Sequence, residues 1–342
     1  MNLFVIVGLA ISISIAVGGF MIMAGIGDEP GTRSSHSETT PTGGGLAIIA
    51  ALGVVISILF LNTSLLENSN VILTSKSAQV LALIWGVGFL GLMDDILDLA
   101  AGFKFVFLGI ISVTAIWALG PVTRLPFSGG SVPLPEWLAW SGSVFWVFAV
   151  MNVVNFMDGS NGLMLVVMSM ASFFMASIAV QVGAFEPFLI LIIMTGAIIG
   201  LLVYNLRIKA SIFSGDVGAL SIGFTYAVCV VWISNDSELA NPTYIGPVLI
   251  LPFIADTFFT MFRRAKNGEK LMQAHRSHLY QRLIAGGKSH LAVATYYGLS
   301  VVALMYYTHF AIETGFFQYI NFPILPALVL SSIYMLLGRR FN

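Results

Sequence analysis

Acidic, amide and histidine residues gather in short clusters in this very apolar chain, each close to the end of a hydrophobic stretch. The clusters are Asp94-Asp95-x-x-Asp98, Asn155-x-x-Asp158-x-x-Asn161, Ser214-Gly215-Asp216 and His275-x-x-His278. Carboxylates that collect at a membrane interface, and not in mid-bilayer, indicate chemistry on a soluble charged substrate rather than ion conduction.

The first cluster carries three carboxylates at the end of an apolar stretch. On a helix, Asp98 lies four residues after Asp94 and three after Asp95, so the three can share one face. Like charges at a helix C-terminus repel one another and oppose the helix dipole. A Mg²⁺ site or a basic partner therefore explains the cluster better than an ordinary solvated loop.

The second cluster combines amides, one carboxylate and two glycines. Gly159 and Gly162 permit tight turns, so Asn155, Asp158 and Asn161 can surround one small concavity. Such a set suits recognition of a uracil or sugar edge. A helix cap rich in asparagine is the alternative interpretation.

The third cluster places Asp216 between two glycines at the start of an apolar stretch. Asp216 alone could be an N-cap, since Asp is favoured there. Beside the other acidic clusters, a second carboxylate for a metal ion is the better interpretation. Phe213 is either a stacking surface for a base or an aromatic residue of the membrane interface.

The fourth cluster, His275-Arg276-Ser277-His278, lies in a basic loop over 263–289. Zinc binding is disfavoured because no Cys and no H-E-x-x-H pattern accompanies the histidines. A cationic cradle for pyrophosphate fits the neighbouring Arg and Lys residues. The alternative is a basic loop that touches anionic lipid.

Two further features are weaker. Arg33 and His36 precede the run Pro41-Thr42-Gly43-Gly44-Gly45, whose backbone N–H groups could meet an anion at a helix N-terminus. Asp256 lies seven residues before Arg263, and we expect it to form a structural ion pair with a nearby Arg or Lys.

Composition places these clusters in a membrane protein. The chain has 342 residues, of which 58% are hydrophobic and 9% charged, and its mean hydropathy is +0.93. A soluble core cannot absorb that much apolar surface. The single cysteine, Cys229, excludes a disulfide within one chain. The net charge of −1 does not indicate any particular class of binding partner. We expect that the protein does not bind nucleic acid.

The hydropathy pattern predicts an all-α, polytopic membrane protein with about eleven transmembrane helices in a single domain, 1–342. The predicted spans are 3–26, 45–61, 79–93, 104–119, 142–156, 163–181, 187–205, 217–233, 244–262, 290–308 and 322–338. The outer loop 120–141, rich in Pro and Gly, is expected to form a small hairpin.

Basic residues give the expected orientation. With the N-terminus outside and the C-terminus in the cytoplasm, 13 of the 15 Lys and Arg residues fall on the cytoplasmic side. The two outer ones are Lys76 and Arg124. In this frame all four clusters face the cytoplasm, and no charged residue lies near a predicted bilayer midplane.

The order of motifs resembles a known family, the polyprenyl-phosphate N-acetylhexosamine-1-phosphate transferases (glycosyltransferase family 4). The matching motifs are Arg33-x-x-His36, Pro41-Thr42-x-Gly44-Gly45, Gly91-Leu92-x-Asp94-Asp95-x-x-Asp98, Asn155-x-x-Asp158-Gly159-x-x-Gly162-Leu163, Phe213-Ser214-Gly215-Asp216-x-Gly218 and His275-x-x-His278-Leu279. The phospho-N-acetylmuramoyl-pentapeptide transferases of this family carry a histidine triplet near residue 275. This chain has His-Arg-Ser-His there, which looks more like the subgroup that primes O-antigen or similar surface glycans.

The resemblance implies transfer of a sugar-1-phosphate from a UDP-N-acetyl sugar to undecaprenyl phosphate, with release of UMP, at the bacterial inner membrane. The donor is expected to be UDP-N-acetylglucosamine or a 6-deoxy relative. A homodimer is compatible with this interpretation. The implied cofactor is Mg²⁺ or Mn²⁺, with Asp216 the direct ligand and Asp94 and Asp95 near the acceptor phosphate, as metal or catalytic groups.

The resemblance also assigns residues to the two substrates. Asn155, Asp158, Asn161 and Phe213 are expected beside the nucleotide and sugar. The residues expected to contact phosphates or sugar are Arg33, His36, Lys104, His275, Arg276 and His278.

Two other classes of function are weighed against this one. A lipid or sugar transporter needs polar groups at mid-membrane, which the predicted spans lack. An intramembrane metalloprotease needs zinc ligands on a helix, such as H-E-x-x-H, and the sequence has no such motif.

Overall fold

The computed structural model describes residues 3–25, 27–28, 40–61, 73–207, 209–237, 242–270 and 275–340, and within these ranges the chain is a helical bundle with two small hairpins. The first eight helices are α1 Leu3–Ala24, α2 Gly44–Leu61, α3 Ser75–Leu97, α4 Ala101–Leu119, α5 Glu136–Phe156, α6 Leu163–Gln181, α7 Phe185–Asn205 and α8 Gly215–Asp236. The remaining helices are α9 Ile245–Leu249, α10 Leu251–Lys266, α11 Leu279–Ala285, α12 His290–Glu313 and α13 Asn321–Arg340. The strands are β1 Gly27–Asp28, β2 Thr40–Pro41, β3 Arg124–Phe127 and β4 Gly130–Pro133.

The predicted all-α, multi-pass class is confirmed. Among the described residues, nine helices are long and apolar enough to cross a membrane, namely α1 to α8 and α12. The predicted span 244–262 is divided at Ile250 into α9 and α10. Pro252, in the first turn of α10, has no backbone N–H to continue a helix from α9. The predicted span 322–338 lies in α13, whose apolar part, Asn321–Leu337, falls short of full-span length.

Helix α8 lies at the centre of the bundle. Its residues are buried from Val217 to Ser234, and it packs against α2, α3, α5 and α7. A helix that is apolar on every side is typical of a protein core or a membrane span, and here neighbouring helices enclose it. The first turn of α8, which carries Asp216, is therefore held from several directions.

Two glycines let α2 and α3 approach the start of α8 closely. A Cβ atom on Gly45 would lie 2.7 Å from the carbonyl carbon of Val217, and one on Gly91 would lie 2.6 Å from Val217 Cα. Contacts to backbone atoms cannot be relieved by rotating a side chain. Glycine at these two positions therefore sets the distance between the helices that carry the carboxylates.

The hairpin predicted in loop 120–141 is confirmed. Strands β3 and β4 pair antiparallel, with Arg124 opposite Pro133 and Phe127 opposite Gly130. The connecting residues Ser128 and Gly129 have φ angles of 52° and 80°. Positive φ at both central residues is what a two-residue turn of type I′ requires.

Polar contacts mark the two ends of the bundle. At one end Glu186 accepts hydrogen bonds from Thr74 and Ser77, and Asn235 donates to the carbonyl of Gly120 at 2.9 Å. The four clusters identified in the sequence lie together at the opposite end. Because successive helices alternate in direction, clusters far apart in the chain meet there.

Candidate active site

Asp94 lies near the C-terminus of α3 and is buried. Asp98 lies beyond the end of the helix and does not share its face. The helix ends at Leu97, and Asp98 turns into the left-handed region with φ 46°. Asp98 is exposed, while the backbone N–H of Leu99 donates to Asp94 Oδ1 at 2.9 Å. The expected single face of three carboxylates is therefore wrong, because the chain leaves the helix before Asp98.

Lys104, in the first turn of α4, bridges two of the clusters. Its ammonium group contacts Asp94 Oδ2 and lies 3.6 Å from Asp216 Oδ2. Residues 122 positions apart in the sequence thus share one cation.

Asp95 contacts the other side of the α8 start. Its Oδ1 accepts a hydrogen bond from the backbone N–H of Asp216 at 3.0 Å. Gly215 has φ 65°, and a Cβ there would overlap the Asp95 carboxylate. A carboxylate at a helix N-terminus satisfies an otherwise unpaired N–H and complements the helix dipole. Asp216 is itself inside the first turn of α8 rather than its N-cap.

The second cluster meets Asp216 from the end of α5. Asn155 Nδ2 donates to Asp216 Oδ1 at 2.9 Å. Ser214 Oγ lies 2.9 and 2.7 Å from the two carboxylate oxygens of Asp158. Burial, together with the nearby charge of Asp95, raises the pKa of Asp158 to about 7 against the opposing hydrogen bond from Ser214. Asp158 can therefore gain or lose a proton near neutral pH.

Asn161 has a different environment from Asn155 and Asp158. Its side-chain nitrogen donates to the backbone carbonyl of Arg207 at 3.3 Å, which ties two loops together. Asn205, which is buried, reinforces this junction by accepting from Gly162 N and donating to the Ile212 carbonyl. The contacts of Asn161 are structural, and its expected place beside the nucleotide stays a prediction.

Phe213 stands beside the run of glycines that precedes α2. Its backbone N–H donates to the Pro41 carbonyl at 2.8 Å, and its own carbonyl accepts from Gly44 at 2.8 Å. The Phe213 side chain is half-buried, and it directly precedes Ser214, which contacts Asp158. Arg33 and His36, which precede the same run, lie outside the described residues.

The histidine cluster packs against the end of α5. The rings of His275 and His278 lie 4.9 Å apart between centroids, and His278 lies 6.1 Å from the Phe156 ring. Tyr280 OH donates to the Phe156 carbonyl at 3.2 Å. This contact joins the basic loop to the segment that begins with Asn155.

The charge in this loop comes from arginine rather than from His275. Burial, then the proximity of His278 and Arg264, lowers the pKa of His275 to about 4. His275 is therefore a neutral hydrogen-bonding group at physiological pH, and its Nδ1 lies 2.9 Å from Ser277 Oγ. Arg263 donates to the Ser277 carbonyl, and Arg276 is exposed at the surface of the loop.

Contrary to expectation, no Arg or Lys in the described ranges forms an ion pair with Asp256. It is buried, with 1% exposure, and its oxygens receive hydrogen bonds from the start of α11 and from Tyr297. Its basic neighbour is His278, whose Nδ1 lies 3.4 Å from Asp256 Oδ1. The expectation of an Arg or Lys partner was wrong because α11 folds back over the end of α10.

The donor atoms fit a hard divalent cation in kind. Asp94 and Asp216 share one ammonium, and Asp95 accepts from the backbone N–H of Asp216, so the cluster has an excess of two negative charges when its three carboxylates are ionised beside one lysine. Carboxylate oxygen is the ligand that Mg²⁺ and Mn²⁺ prefer. Within the described part of the chain, no three His, Cys, Asp or Glu side chains are already arranged as a metal-binding group.

Two residues of this region were not singled out from the sequence, and a third, Ser214, was included in a cluster but given no role. Asn205, Ser214 and Tyr280 each join two clusters through the hydrogen bonds described above. Tyr280 lies two residues after His278, so proximity in sequence was a usable signal. Asn205 sits at the end of an apolar helix without any such signal.

A helical membrane bundle with carboxylates, amides and a lysine at one end is what the family resemblance implies, and comparison with known proteins confirms that resemblance. Residues 77–234 match the profile of the family described as Glycosyl transferase family 4. This segment contains Asp94, Asp95, Lys104, Asn155 and Asp216.

Individual relatives extend the similarity beyond that segment. The chain is 29% identical to a probable undecaprenyl-phosphate N-acetylglucosaminyl 1-phosphate transferase of Bacillus subtilis, over 79% of this chain and 72% of the relative. It is 26% identical to a decaprenyl-phosphate N-acetylglucosaminephosphotransferase of Mycobacterium leprae, over 92% of this chain and 84% of the relative. It is 29% identical to a phospho-N-acetylmuramoyl-pentapeptide-transferase of Desulforamulus reducens, over 62% of this chain and 65% of the relative.

Proposed function

We propose that this chain, acting as one membrane domain, transfers an N-acetylhexosamine-1-phosphate from a UDP-N-acetyl sugar to undecaprenyl phosphate and releases UMP. Two of the relatives named above support it: one is described as a probable undecaprenyl-phosphate N-acetylglucosaminyl 1-phosphate transferase, and the other as a decaprenyl-phosphate N-acetylglucosaminephosphotransferase. The observation that carries the proposal is the meeting of Asp94 and Asp216 at Lys104, with Asp95 bound to the backbone N–H of Asp216, at one end of the bundle.

The reaction exchanges one phosphoanhydride for another. An oxygen of the acceptor phosphate forms a bond to the β-phosphorus of the donor, and the bond from that phosphorus to the bridging oxygen breaks. The bridging oxygen leaves with the electron pair as part of UMP. The second pKa of a phosphate monoester is about 6, so the acceptor is already a dianion and needs little general-base help.

The chief obstacle is the repulsion between an anionic acceptor and a pyrophosphate. Asp216, Asp94 and Asp95 would hold Mg²⁺ or Mn²⁺, which supplies positive charge to the transferring phosphoryl group. Lys104 adds a fixed ammonium beside the same carboxylates. Asp94 and Asp95 remain alternatives for a base, or for a nucleophile in a two-step route.

The remaining side chains bind and orient the substrates. Asn155 and Asp158 offer an amide and a carboxyl group to the nucleotide, next to the half-buried ring of Phe213. Asn161 completes the loop that carries them. The residues assigned to the phosphates and sugar are Arg33, His36, Lys104, His275, Arg276 and His278.

The distribution of Lys and Arg supports placing this end of the bundle at the cytoplasmic face of the bacterial inner membrane, with the N-terminus outside. There the acceptor head group meets a soluble nucleotide sugar while its tail stays in lipid. Assembly as a homodimer is part of the same proposal. A transporter is the less favoured function, since the charged clusters lie at a helix end rather than at mid-membrane.

A panel of donors tests the proposal. Purified protein in lipid nanodiscs receives undecaprenyl phosphate, Mg²⁺ and one of several UDP-sugars, and UMP is measured. We expect UMP release with UDP-N-acetylglucosamine or a 6-deoxy relative, and none without acceptor in a one-step reaction. Failure to release UMP from any UDP-N-acetyl sugar, while the protein remains folded, would contradict the proposal and leave transport as the alternative.

A further inference from the structure

Among the residues that the structure describes, Asp256 is the most completely buried carboxylate outside the site described above. It lies on α10 with 1% exposure. A buried carboxylate is costly unless its oxygens are well bonded. Its Oδ1 accepts from Leu279 N at 2.8 Å and from Thr260 Oγ1 at 3.1 Å. Its Oδ2 accepts from Tyr297 OH at 2.7 Å and from Tyr280 N at 3.2 Å.

These bonds fix the start of α11. Leu279 and Tyr280 supply two of the first N–H groups of that helix, which have no partner inside it. His278 precedes them, is 3% exposed, and brings Nδ1 to 3.4 Å from Asp256 Oδ1. A single carboxylate therefore accepts hydrogen bonds from these two backbone groups and lies within ion-pair distance of the His278 ring.

Two further contacts connect α11 to the carboxylate cluster. Tyr280 OH donates to the Phe156 carbonyl at 3.2 Å, and Asn155, the preceding residue, donates to Asp216 at 2.9 Å. A Cβ on Gly159 would overlap the Tyr280 hydroxyl, so the Asp158 loop also rests on this tyrosine. Displacement of α11 would therefore move both His278 and the segment over 155–159, which lie on two sides of the proposed nucleotide-binding region.

We propose that Asp256 is a positioning residue for the donor: it does not touch substrate, but it holds His278 and Tyr280 where they complete the donor site. This inference rests on the proposed transferase function. It predicts that substitution of Asp256 weakens donor binding by displacing His278 and leaves acceptor binding nearly unchanged.

The test compares Asp256→Asn with Thr260→Val. The first variant keeps the shape but removes the charge, and places an amide N–H₂ against groups that already donate hydrogen bonds. The second removes one hydrogen bond to the same oxygen but leaves the charge. We expect Asp256→Asn to raise the donor KM about tenfold or more, with the acceptor KM changed less than about twofold. Thr260→Val should lower Tm while both KM values stay within about twofold.

A double-mutant cycle with His278→Ala tests the route of the effect. If Asp256 acts through His278, Asp256→Asn in the His278→Ala background should raise the donor KM by less than about threefold. Equal effects in both backgrounds would overturn the inference. So would an Asp256→Asn protein with a lowered Tm and unchanged donor KM, because that outcome describes a purely structural residue.

Hydrogen exchange separates this inference from the proposed function. Asp256→Asn should speed exchange at the amides of Leu279 and Tyr280, whereas Thr260→Val should not. Unchanged exchange in Asp256→Asn refutes the positioning role even in an active enzyme. Absence of UMP release from the unmodified protein with every donor refutes the transferase function itself, and with it the donor role of Asp256.

Discussion

Lys104 Nζ contacts Asp94 and lies 3.6 Å from Asp216 Oδ2, so a lysine at the start of α4 joins the end of α3 to the start of α8. This relationship gives the carboxylate cluster its internal counter-charge. It also places a fixed cation where an anionic phosphate is proposed to approach.

Lys104→Met tests that role. The variant keeps the aliphatic length but removes the ammonium, so two carboxylates lose their shared cation. We expect UMP release to fall by about 10²-fold or more, as for loss of one fixed group that stabilises the transition state. Lys104→Arg should retain part of the activity, because the charge remains while its geometry changes. Turnover within about twofold of the unmodified protein in Lys104→Met would remove Lys104 from the mechanism.

Asp216→Ala and Asp95→Ala are each expected to abolish UMP release without preventing membrane insertion. Asp216 supplies the proposed direct ligand, and Asp95 holds the α8 start through the backbone N–H of Asp216. Asp95→Asn is the matched control, since its amide oxygen can still accept that hydrogen bond. If Asp95→Asn restores full turnover, Asp95 acts only on the helix start. Near-normal turnover in Asp216→Ala would refute its assignment as a ligand.

Gly91→Ala should separate α3 from α8. The added Cβ would lie 2.6 Å from Val217 Cα, and backbone atoms must shift to admit it. We expect a loss of about 1–3 kcal/mol of stability and a fall in turnover of about tenfold or more, because reacting groups tolerate little displacement. Gly86→Ala on the same helix is the control, since its Cβ would meet Ile111 Cδ1 at an ordinary 3.9 Å. Gly86→Ala should be neutral or stabilising, because Ala favours a helix more than Gly does. Equal losses in the two variants would show that the close approach of α3 to α8 is not the cause.

Asp158 should make the stability of the protein depend on pH. Its pKa in the folded protein is about 7, against an ordinary value of 3.8, so the folded state retains a proton that the unfolded chain has lost. Stability contributed by this group is therefore lost as pH rises between those values. The Tm of Asp158→Asn should therefore rise relative to that of the unmodified protein as the pH increases from about 5 to about 8. A Tm difference that stays constant over this range would contradict the raised pKa.

The sequence was sufficient for the parts of the molecule that depend on local pattern. Long apolar runs predicted α1 to α8, and the Pro- and Gly-rich loop predicted the hairpin of β3 and β4. Helices that alternate in direction bring clusters at their ends together, so the meeting of Asp94 with Asp216 could be anticipated.

What the sequence did not give depends on backbone geometry and tertiary packing. Asp98 has the right spacing for a shared helical face, but the helix ends one residue earlier. Asp256 has the spacing of an ion pair, yet its partners come from α11 and α12, which are distant in the chain. Asn205 joins two loops from the end of an apolar helix, where no pattern marks it.

The fate of the β-phosphorus tests the central claim most directly. UDP-N-acetylglucosamine labelled with ³²P at the β-phosphate is incubated with the protein, undecaprenyl phosphate and Mg²⁺, and a 6-deoxy donor labelled in the same way is used if the panel selects it. We predict that the label moves into the lipid fraction while unlabelled UMP appears in equal amount. Label that remains in soluble UDP while sugar enters the lipid, or that stays in intact donor, would contradict transfer of a sugar-1-phosphate.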